Sequence, residues 1–256
     1  MTLRRTLLSG AAVAAAAAGP GAAGALAAEP PAWVANADGI TAIDTASNTA
    51  GGSIGTGAQA RAVALNPAGT VAYVVNAGAG TVTPVNTANN TAGAAITVGG
   101  TPSAIAVTPD GKTAFVANSG TDNVTPIDLA DNTAGAAIAV GDAPSAIGIT
   151  PDGKTAYVAS SGADTVTPID VAARTAGATI AVGDGPSGIA VTPDGAKAFV
   201  TNSGSDDVTP ITVAGNAPGA AIAVGDAPSA VAVTPGGGKG YVANSGDDTV
   251  TPLLAT

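Results

Sequence analysis

A repeat of 42 residues runs through most of the chain and constrains its fold more than any other feature. Full repeat units cover residues 58–99, 100–141, 142–183 and 184–225, and partial units cover 32–57 and 226–256. One aromatic residue recurs at the same place in successive units, as Tyr73, Phe115, Tyr157, Phe199 and Tyr241. A chain of this kind forms one small structural unit several times, and the copies stack to bury their apolar faces.

Each unit predicts four short β-strands. In the unit 100–141 we expect them at residues 103–107, 113–118, 123–128 and 136–140. Turn sequences rich in Pro, Gly, Asp and Ser separate these segments about every ten residues, and no helical periodicity lies between them. Four antiparallel strands in about 42 residues make the blade of a β-propeller. The predicted fold is therefore all-β, a β-propeller of four-stranded antiparallel blades, with about six blades and irregular terminal blades.

The two ends of the chain leave the closure of the ring open. The partial unit at the C-terminus lacks its fourth strand, which residues 52–57 would supply in a closing blade. That closure leaves the predicted hairpin 32–44 without a place. An open arc and a truncated seven-blade ring remain as alternatives.

A proline stands in the third predicted strand of five units, although proline has no N–H to donate within a sheet. We expect that this position faces away from a neighbouring strand or that a bulge opens there. The residues are Pro84, Pro126, Pro168, Pro210 and Pro252.

Several short motifs resemble a known repeat family. The segments Tyr73-Val74-Val75-Asn76 and Tyr241-Val242-Ala243-Asn244, with the Pro-Asp-Gly-Lys turn before them, are similar to the YVTN-type β-propeller repeat. The resemblance covers about residues 32 to 256. It implies a propeller of the type common in secreted and cell-surface bacterial proteins, and some relatives of similar architecture are lactonases. It specifies the fold more closely than the function.

The N-terminus predicts an export signal over residues 1–27, which leaves 28–256 as the propeller domain. Arg4 and Arg5 precede an apolar stretch, and Ala25-Leu26-Ala27 has the small residues of a cleavage site. The arginine pair also fits a twin-arginine signal, so both export routes remain open. We expect a secreted or cell-surface protein with no membrane span once the signal is removed.

Composition excludes several kinds of chemistry. The chain has no cysteine and no histidine, so a thiol nucleophile, a Ser-His-Asp triad and imidazole metal ligands are excluded. Eighteen acidic residues against eight basic ones give a formal net charge of −10, which repels nucleic acid. Glu29 is the only glutamate, so any general acid or base has to be an aspartate.

The candidate site residues are charged residues near the blade junctions. We predict ligand contacts for Arg61, which starts the first strand of its unit, and for Asp142, Asp184 and Asp226, which precede the first strand of theirs. A second periodic set lies in the turn between the second and third strands and forms a weak candidate site for Ca²⁺, a cation that prefers oxygen ligands. That set is Asp122, Asp164, Asp206 and Asp248. The alternative is that these aspartates only stabilise turns.

These features predict a non-enzymatic binding or scaffolding propeller outside the cell. We expect no catalytic residues, no cofactor other than the weakly indicated Ca²⁺, and a protein or glycan of the cell envelope as partner. The alternative is a lactonase-like or other hydrolytic propeller, with or without a metal. It requires an asymmetric cluster of acids, bases or metal ligands that near-identical units do not readily supply.

Overall fold

The computed structural model describes residues 13–15, 31–37 and 39–254. Every regular element in the described part is a β-strand, and the chain divides into two compact units, residues 1–95 and 96–256. No described helix has the length and apolar character needed to cross a membrane.

The first unit contains two antiparallel sheets. Its core includes Trp33, Ile40, Val74 and Val85, all almost fully buried, which brings the two sheets face to face. The first blade consists of β1 (Val13–Ala15), β2 (Ala32–Asn36), β3 (Gly39–Asp44) and β4 (Thr49–Ile54), hydrogen-bonded in that order. The second blade consists of β5 (Ala60–Leu65), β6 (Val71–Asn76), β7 (Thr81–Asn86) and β8 (Thr91–Ala92).

The second unit begins with β9 (Ile96–Thr97) and contains the third to sixth blades. In each blade three six-residue strands pair in chain order, and in the third to fifth blades two short strands follow on the outer side. The third blade consists of β10 (Pro102–Val107), β11 (Thr113–Asn118), β12 (Asn123–Asp128), β13 (Thr133–Ala134) and β14 (Ile138–Ala139). The fourth consists of β15 (Pro144–Ile149), β16 (Thr155–Ser160), β17 (Thr165–Asp170), β18 (Thr175–Ala176) and β19 (Ile180–Ala181). The fifth consists of β20 (Pro186–Val191), β21 (Lys197–Asn202), β22 (Asp207–Thr212), β23 (Ala217–Pro218) and β24 (Ile222–Ala223). The sixth consists of β25 (Pro228–Val233), β26 (Lys239–Asn244) and β27 (Thr249–Leu254).

Alternation along the strands creates the core between blades. Phe115 and Val124 lie on one face of the third blade and pack against Ala156 and Val158 of the fourth. The fourth blade packs on the fifth in the same way, and the fifth on the sixth. Because successive side chains of a strand point to opposite faces, the fourth and fifth blades each present one apolar face to the blade before and one to the blade after. The prediction of an all-β propeller with repeated antiparallel blades is confirmed.

The predicted fourth strand, residues 136–140, is wrong in detail, because two pieces of two residues replace it in the third blade. Both pieces pair with β12, on either side of the position opposite Pro126. Between them the Gly135 N–H donates to the Pro126 carbonyl at 2.8 Å. Pro126 has no N–H to return, so the outer strand is interrupted where that donor is missing. This gap on the outer side of β12 agrees with the expectation that the proline faces away from a neighbouring strand.

The expected closing role of residues 52–57 is also wrong. The first half of that segment, residues 52–54, lies in β4, which pairs with β3 through Ile40 and Ile54 in the first blade. The hairpin 32–44, for which that closure left no place, forms the centre of the same sheet as β2 and β3. The predicted export signal lies largely outside the described residues, except that Val13–Ala15 forms β1 and pairs with β2.

Candidate functional site

One end of the blades gathers most of the predicted site residues, and we call it the acidic end. It consists of the loop that leads into the innermost strand of a blade and the turn between the second and third strands. Main-chain hydrogen bonds join the two segments within each blade, for example from the Gly162 N–H to the Asp142 carbonyl at 3.0 Å. The same bond joins Gly204 to Asp184 and Gly246 to Asp226, at 2.9 Å each. The positions of these aspartates are therefore fixed by backbone geometry.

The turn aspartates of the acidic end tie neighbouring blades together. Asp122, Asp164 and Asp206 all have a left-handed backbone, with φ between 52° and 56°. Each carboxylate accepts a hydrogen bond of 2.8 Å from a main-chain N–H in the loop of the next blade, at Ala143, Gly185 and Ala227 respectively. Asp248 has the same backbone conformation, with a φ of 57°. Three of the four predicted calcium ligands are thus engaged by the protein itself.

The junction aspartates are held differently. The carboxylates of Asp142, Asp184 and Asp226 are exposed, and within the described residues they make no hydrogen bond or ion pair. Their main chains are held, however: the Asp184 N–H donates to the Ser205 hydroxyl at 3.1 Å. The Asp226 N–H donates to the Asp247 carboxylate, which contributes to lowering the pKa of Asp247 after the larger effect of the Thr249 hydroxyl. These three carboxylates are fixed at the backbone and available at the side chain.

The structure does not gather acidic side chains into a metal centre. Across residues 31–37 and 39–254, no three acidic side chains lie close enough together to hold a metal ion. The weak calcium prediction for Asp122, Asp164, Asp206 and Asp248 gains no support from their arrangement and stays a prediction.

A buried polar side chain that is absent from the predicted site lies behind the acidic end of the third, fourth and fifth blades. In the third blade Asn118 accepts a hydrogen bond from the Gly99 N–H at 3.1 Å and donates to Asn123 and Thr125 at 2.8 and 2.9 Å. Asn202 donates to Asp207 and Thr209 in the fifth blade. The signal was present in the sequence, because asparagine recurs at this place with the 42-residue spacing.

The fourth blade breaks this pattern. Ser160 stands where its neighbours have asparagine, and its shorter side chain leaves three buried hydroxyls without a hydrogen-bond partner. They belong to Ser160, Thr165 and Thr167. An unpaired buried hydroxyl is costly, so this blade contains a local polar defect directly below Asp142 and its loop.

Arg61 departs from the repeat in the first unit. It is exposed and lies in β5 at a register shift between Ala60 and Ala62. The equivalent residue of the third and fourth blades is a serine whose hydroxyl donates to a proline carbonyl of the next innermost strand: Ser103 to Pro144 at 2.6 Å and Ser145 to Pro186 at 2.7 Å. At this position the first unit has an exposed cation, Arg61, in place of the serine that connects innermost strands in the third and fourth blades. Its predicted ligand contact stays a prediction.

The other end of the blades, which we call the proline end, carries the Thr-Pro-Asp-Gly turns. The Asp110 carboxylate accepts from the Thr108 hydroxyl at 2.6 Å and from the Lys112 N–H at 3.1 Å. These hydrogen bonds lower the pKa of Asp110, with the Thr108 bond as the largest cause. Asp152 and Asp194 repeat the arrangement and the direction of the pKa shift. All three carboxylates stabilise their own turns.

A family model decides the relationship of the chain to known proteins. Residues 44–235 match the model described as "Lactonase, 7-bladed beta-propeller". The chain belongs to this lactonase family. The match runs from the end of β3 to just beyond β25, so it includes the loops of the acidic end that carry Asp142, Asp184 and Asp226. No curated protein matches the chain significantly.

Solved structures support the fold of this lactonase-family propeller. A putative 6-phosphogluconolactonase from Bacteroides uniformis ATCC 8492 superimposes with a TM-score of 0.73 at 18% identity, covering 88% of this chain and 77% of that one. A functionally unknown protein from Desulfotomaculum acetoxidans DSM 771 gives 0.71 at 16% identity, with 88% and 78% covered. Hydrazine synthase from Kuenenia stuttgartiensis gives 0.60 at 22% identity, with 88% and 92% covered. At these identities the likeness concerns the fold.

Family membership corrects the functional prediction. The expectation of a non-enzymatic binding or scaffolding module is wrong, because the chain belongs to a lactonase family and resembles in fold a protein described as a lactonase. The expectation that it is not an enzyme is wrong for the same reason. Near-identical repeats without histidine led to that error, since they suggested equivalent weak binding sites. The available aspartates of the acidic end were noticed, but they were interpreted only as ligand contacts.

Proposed function

We propose that this lactonase-family propeller hydrolyses the ester bond of a lactone, using carboxylates of the acidic end. Membership of the lactonase family is the observation that carries the proposal. The printed description of the Bacteroides uniformis structure refers to the lactone of a phosphorylated sugar acid, so we take sugar-acid lactones as the first substrate class.

The chemistry needs a group that accepts a proton from water. A carboxylate of the junction set Asp142, Asp184 and Asp226 takes this proton while the water oxygen bonds to the lactone carbonyl carbon. The tetrahedral intermediate then collapses, the bond between that carbon and the ring oxygen breaks, and the carboxylic acid returns the proton to the leaving ring oxygen. The product is an open-chain hydroxy acid, and the aspartate is regenerated.

The junction aspartates suit this role better than the hydrogen-bonded aspartates of the two ends. A general base has to reach the attacking water and must not already be committed to protein donors. Asp122, Asp164 and Asp206 each hold an N–H of the next blade, and Asp110, Asp152 and Asp194 hold their own turns. Asp142, Asp184 and Asp226 combine a fixed main chain with an exposed carboxylate.

The decisive test compares two triple variants on a panel of sugar-acid and simple lactones, assayed by acid release. Asp142→Asn, Asp184→Asn and Asp226→Asn together should reduce kcat/KM by about 100-fold or more, the usual contribution of a general base. The matched control replaces Asp110, Asp152 and Asp194 by asparagine and should stay within a few-fold of the parent. The single variants then identify which of the three junction carboxylates acts.

Two results would contradict the proposal. One is a folded parent protein that opens no lactone in the panel, and the other is a junction variant as active as its control. Each assay is run with added Ca²⁺ and with chelator. Loss of turnover in chelator, together with loss on changing Asp122 or Asp164, would instead support the predicted calcium site.

Arg61 of the first unit has a separate test. We propose that its exposed guanidinium binds anionic groups, because a planar cation pairs well with phosphate or carboxylate. Arg61→Ser introduces the residue that the third to sixth blades have at this place. It should weaken the binding of a sugar phosphate in calorimetric titrations and leave the binding of the neutral sugar unchanged. Equal effects on both ligands would contradict this proposal.

We also propose that the repeats are of the YVTN type and that the protein acts outside the cytoplasm, where a protein or glycan of the cell envelope is the expected partner. The motifs around Tyr73 and Tyr241 and the predicted signal over residues 1–27 support this. N-terminal sequencing of protein collected from the extracellular fraction should find the mature chain starting at Ala28. Accumulation of the uncut chain inside the cell would contradict export.

A further inference from the structure

A cleft of about 240 Å³ lies beside the outer strand of the fourth blade, and we call it the outer cleft. Asp170, Thr175 and Gly177 line it from the fourth blade, and Asn216 lines it from the fifth. Asp170 pairs with Thr155, which follows the turn of the proline end, so the cleft lies at that end of the blades. It is therefore separate from the acidic end, where we propose lactone hydrolysis.

The third blade contains a copy of the outer cleft. Every residue that lines the cleft from the fourth blade has the same residue type 42 positions earlier, among them Asp128 and Gly135. The residue contributed by the following blade differs, because Arg174 takes the place that Asn216 has in the outer cleft. The two clefts thus have the same walls and a different residue across the blade junction.

The guanidinium of Arg174 reaches into the copy in the third blade. Its Nη1 lies 3.2 Å from the position that a β-carbon on Gly135 would have. Around the same position of Gly177 in the outer cleft, the described chain brings only atoms of Pro168 within 4 Å, apart from the residues next to Gly177 in the chain. Arg174 is half-buried, whereas Asn216 is exposed. The protein itself therefore shows that a guanidinium fits between these walls.

The side chain of Asn216 is held by the fourth blade. Its amide oxygen accepts a hydrogen bond of 2.5 Å from the hydroxyl of Tyr157, a fully buried residue. The third blade has Phe115 at the place of Tyr157, and a phenyl ring has no hydroxyl with which to hold the residue across the junction. The outer cleft is open because Asn216 is shorter than arginine and because Tyr157 fixes its side chain.

We propose that the outer cleft binds the guanidinium group of a ligand. Asp170 supplies the complementary charge, since one carboxylate oxygen accepts from the Ala173 N–H at 2.8 Å and the other is left for the ligand. Arg174 forms no ion pair among the described residues, but a ligand is not tethered to a blade and can move closer to the carboxylate. The formal net charge of −10 also attracts cations. A second cleft of about 410 Å³ shares Asn216 and has room for the remainder of the ligand.

The probes are N-acetyl-arginine amide and its uncharged analogue N-acetyl-citrulline amide, each titrated into the parent protein and followed by NMR. The arginine probe should shift the main-chain amide signals of Thr175 and Gly177, with a dissociation constant of about 1 mM, as expected of so small a ligand. The citrulline probe should bind about fivefold more weakly, because it cannot form the ion pair with Asp170. Asp170→Asn should weaken the binding of the arginine probe by a similar factor.

Two matched variants exchange the residue across the junction. Asn216→Arg fills the outer cleft in the manner of the third blade, so the arginine probe should no longer shift the signals of Thr175 and Gly177. Arg174→Asn opens the copy, so a shift should also appear at Gly135. Both exchanged positions have a φ of 54°, so each variant receives a residue that the other turn already holds in this conformation.

A pentapeptide with one central arginine identifies the source of the guanidinium. Binding at least about tenfold tighter than that of the arginine probe would support an arginine side chain of a partner protein, and equal binding would support a small molecule. A parent protein that binds no arginine probe overturns the proposal. Binding that Asn216→Arg leaves intact, or equal binding of the arginine and citrulline probes, overturns it as well.

Discussion

Asp110 at the proline end accepts hydrogen bonds from its own turn, whereas Asp164 at the acidic end reaches across to the loop of the next blade. The carboxylate of a third group, represented by Asp142, has no partner within the described residues. The same side chain thus stabilises a turn, joins two blades or remains available for a substrate. Which of these it does depends on where the blade geometry places main-chain N–H groups.

The two ends also differ in how strictly the repeat is kept. The proline end repeats Thr-Pro-Asp-Gly in the third, fourth and fifth blades. The acidic end varies: Gly100 becomes Asp142 in the next blade, and Asn118 becomes Ser160. A chain of equivalent units acquires an asymmetric site only where the units differ, so the acidic end is the more suitable place for catalysis.

The largest effect is expected from Asp164→Ala. The variant loses the bond to the Gly185 N–H and replaces aspartate, which tolerates the left-handed φ of 54°, by alanine, which tolerates it less well. We expect the free energy of unfolding to fall by about 2 kcal/mol, from roughly equal contributions of the lost bond and the strain. Urea unfolding measures it. Asp164→Gly loses the same bond but adopts the left-handed backbone without strain, so it should lose about half as much. Equal stability of the alanine variant and the parent would contradict the inter-blade role.

A smaller gain is expected from Ser160→Asn, which introduces the residue of the neighbouring blades into the polar defect. The new amide can reach the hydroxyls of Thr165 and Thr167, as Asn118 reaches Asn123 and Thr125. The free energy of unfolding should rise by about 1 kcal/mol. The reverse change, Asn118→Ser, should lower it by at least as much. Thermal unfolding measures the stability of both variants. A lower melting temperature for Ser160→Asn than for the parent would contradict the prediction.

Gly236→Asp restores the proline-end turn in the sixth blade. Gly236 has open space around its α-carbon, and Thr234 already bonds the Lys239 carbonyl as the other turns do. We expect a stabilisation of about 0.5 kcal/mol, mainly from a less flexible unfolded chain. Gly236→Ala supplies this entropic effect without the carboxylate. If the two variants were equally stable, the bond to Thr234 would contribute nothing.

The smallest effect concerns the pH dependence of the proline end. Hydrogen bonds lower the pKa of Asp110 below its usual value of 3.8. A carboxyl whose folded pKa is lowered stabilises the protein above the unfolded pKa, and this contribution is lost as pH falls through the folded pKa. Asp110→Asn should therefore be less stable than the parent at pH 7, by about a few tenths of a kcal/mol because the group is exposed. The difference should disappear in urea titrations as the pH falls below the folded pKa of Asp110. A difference that is constant with pH would exclude the ionised carboxylate as its cause.

The local sequence predicts the strands of a blade well, but it predicts poorly which distant segments pair with one another. The second and third strands of the third blade lie at 113–118 and 123–128, as predicted, because alternation and turn residues define them. The split outer strand was missed, since the effect of Pro126 depends on a partner that the sequence does not identify. The pairing of β4 with β3 was missed for the same reason.

The candidate site was only partly predictable. Asp142, Asp184 and Asp226 were selected from their position in the repeat, but their free carboxylates became evident only with the hydrogen bonds of their neighbours. The buried role of Asn118 was not foreseen, because the segment around it also fits a hairpin turn. The lactonase relationship rests on the sequence pattern of residues 44–235 as a whole, and no single reactive group indicates it.

The interrupted outer strand has a consequence for how these molecules behave in a crowded solution. An unbroken edge strand offers a row of free backbone groups on which another protein can add a strand and begin to aggregate. At Pro126 and Gly135 that row is cut into two-residue pieces, and the fourth and fifth blades repeat the cut at Pro168 and Pro210. A chain made of near-identical sheets is especially exposed to such mispairing. The recurring proline protects the third, fourth and fifth blades with the same device.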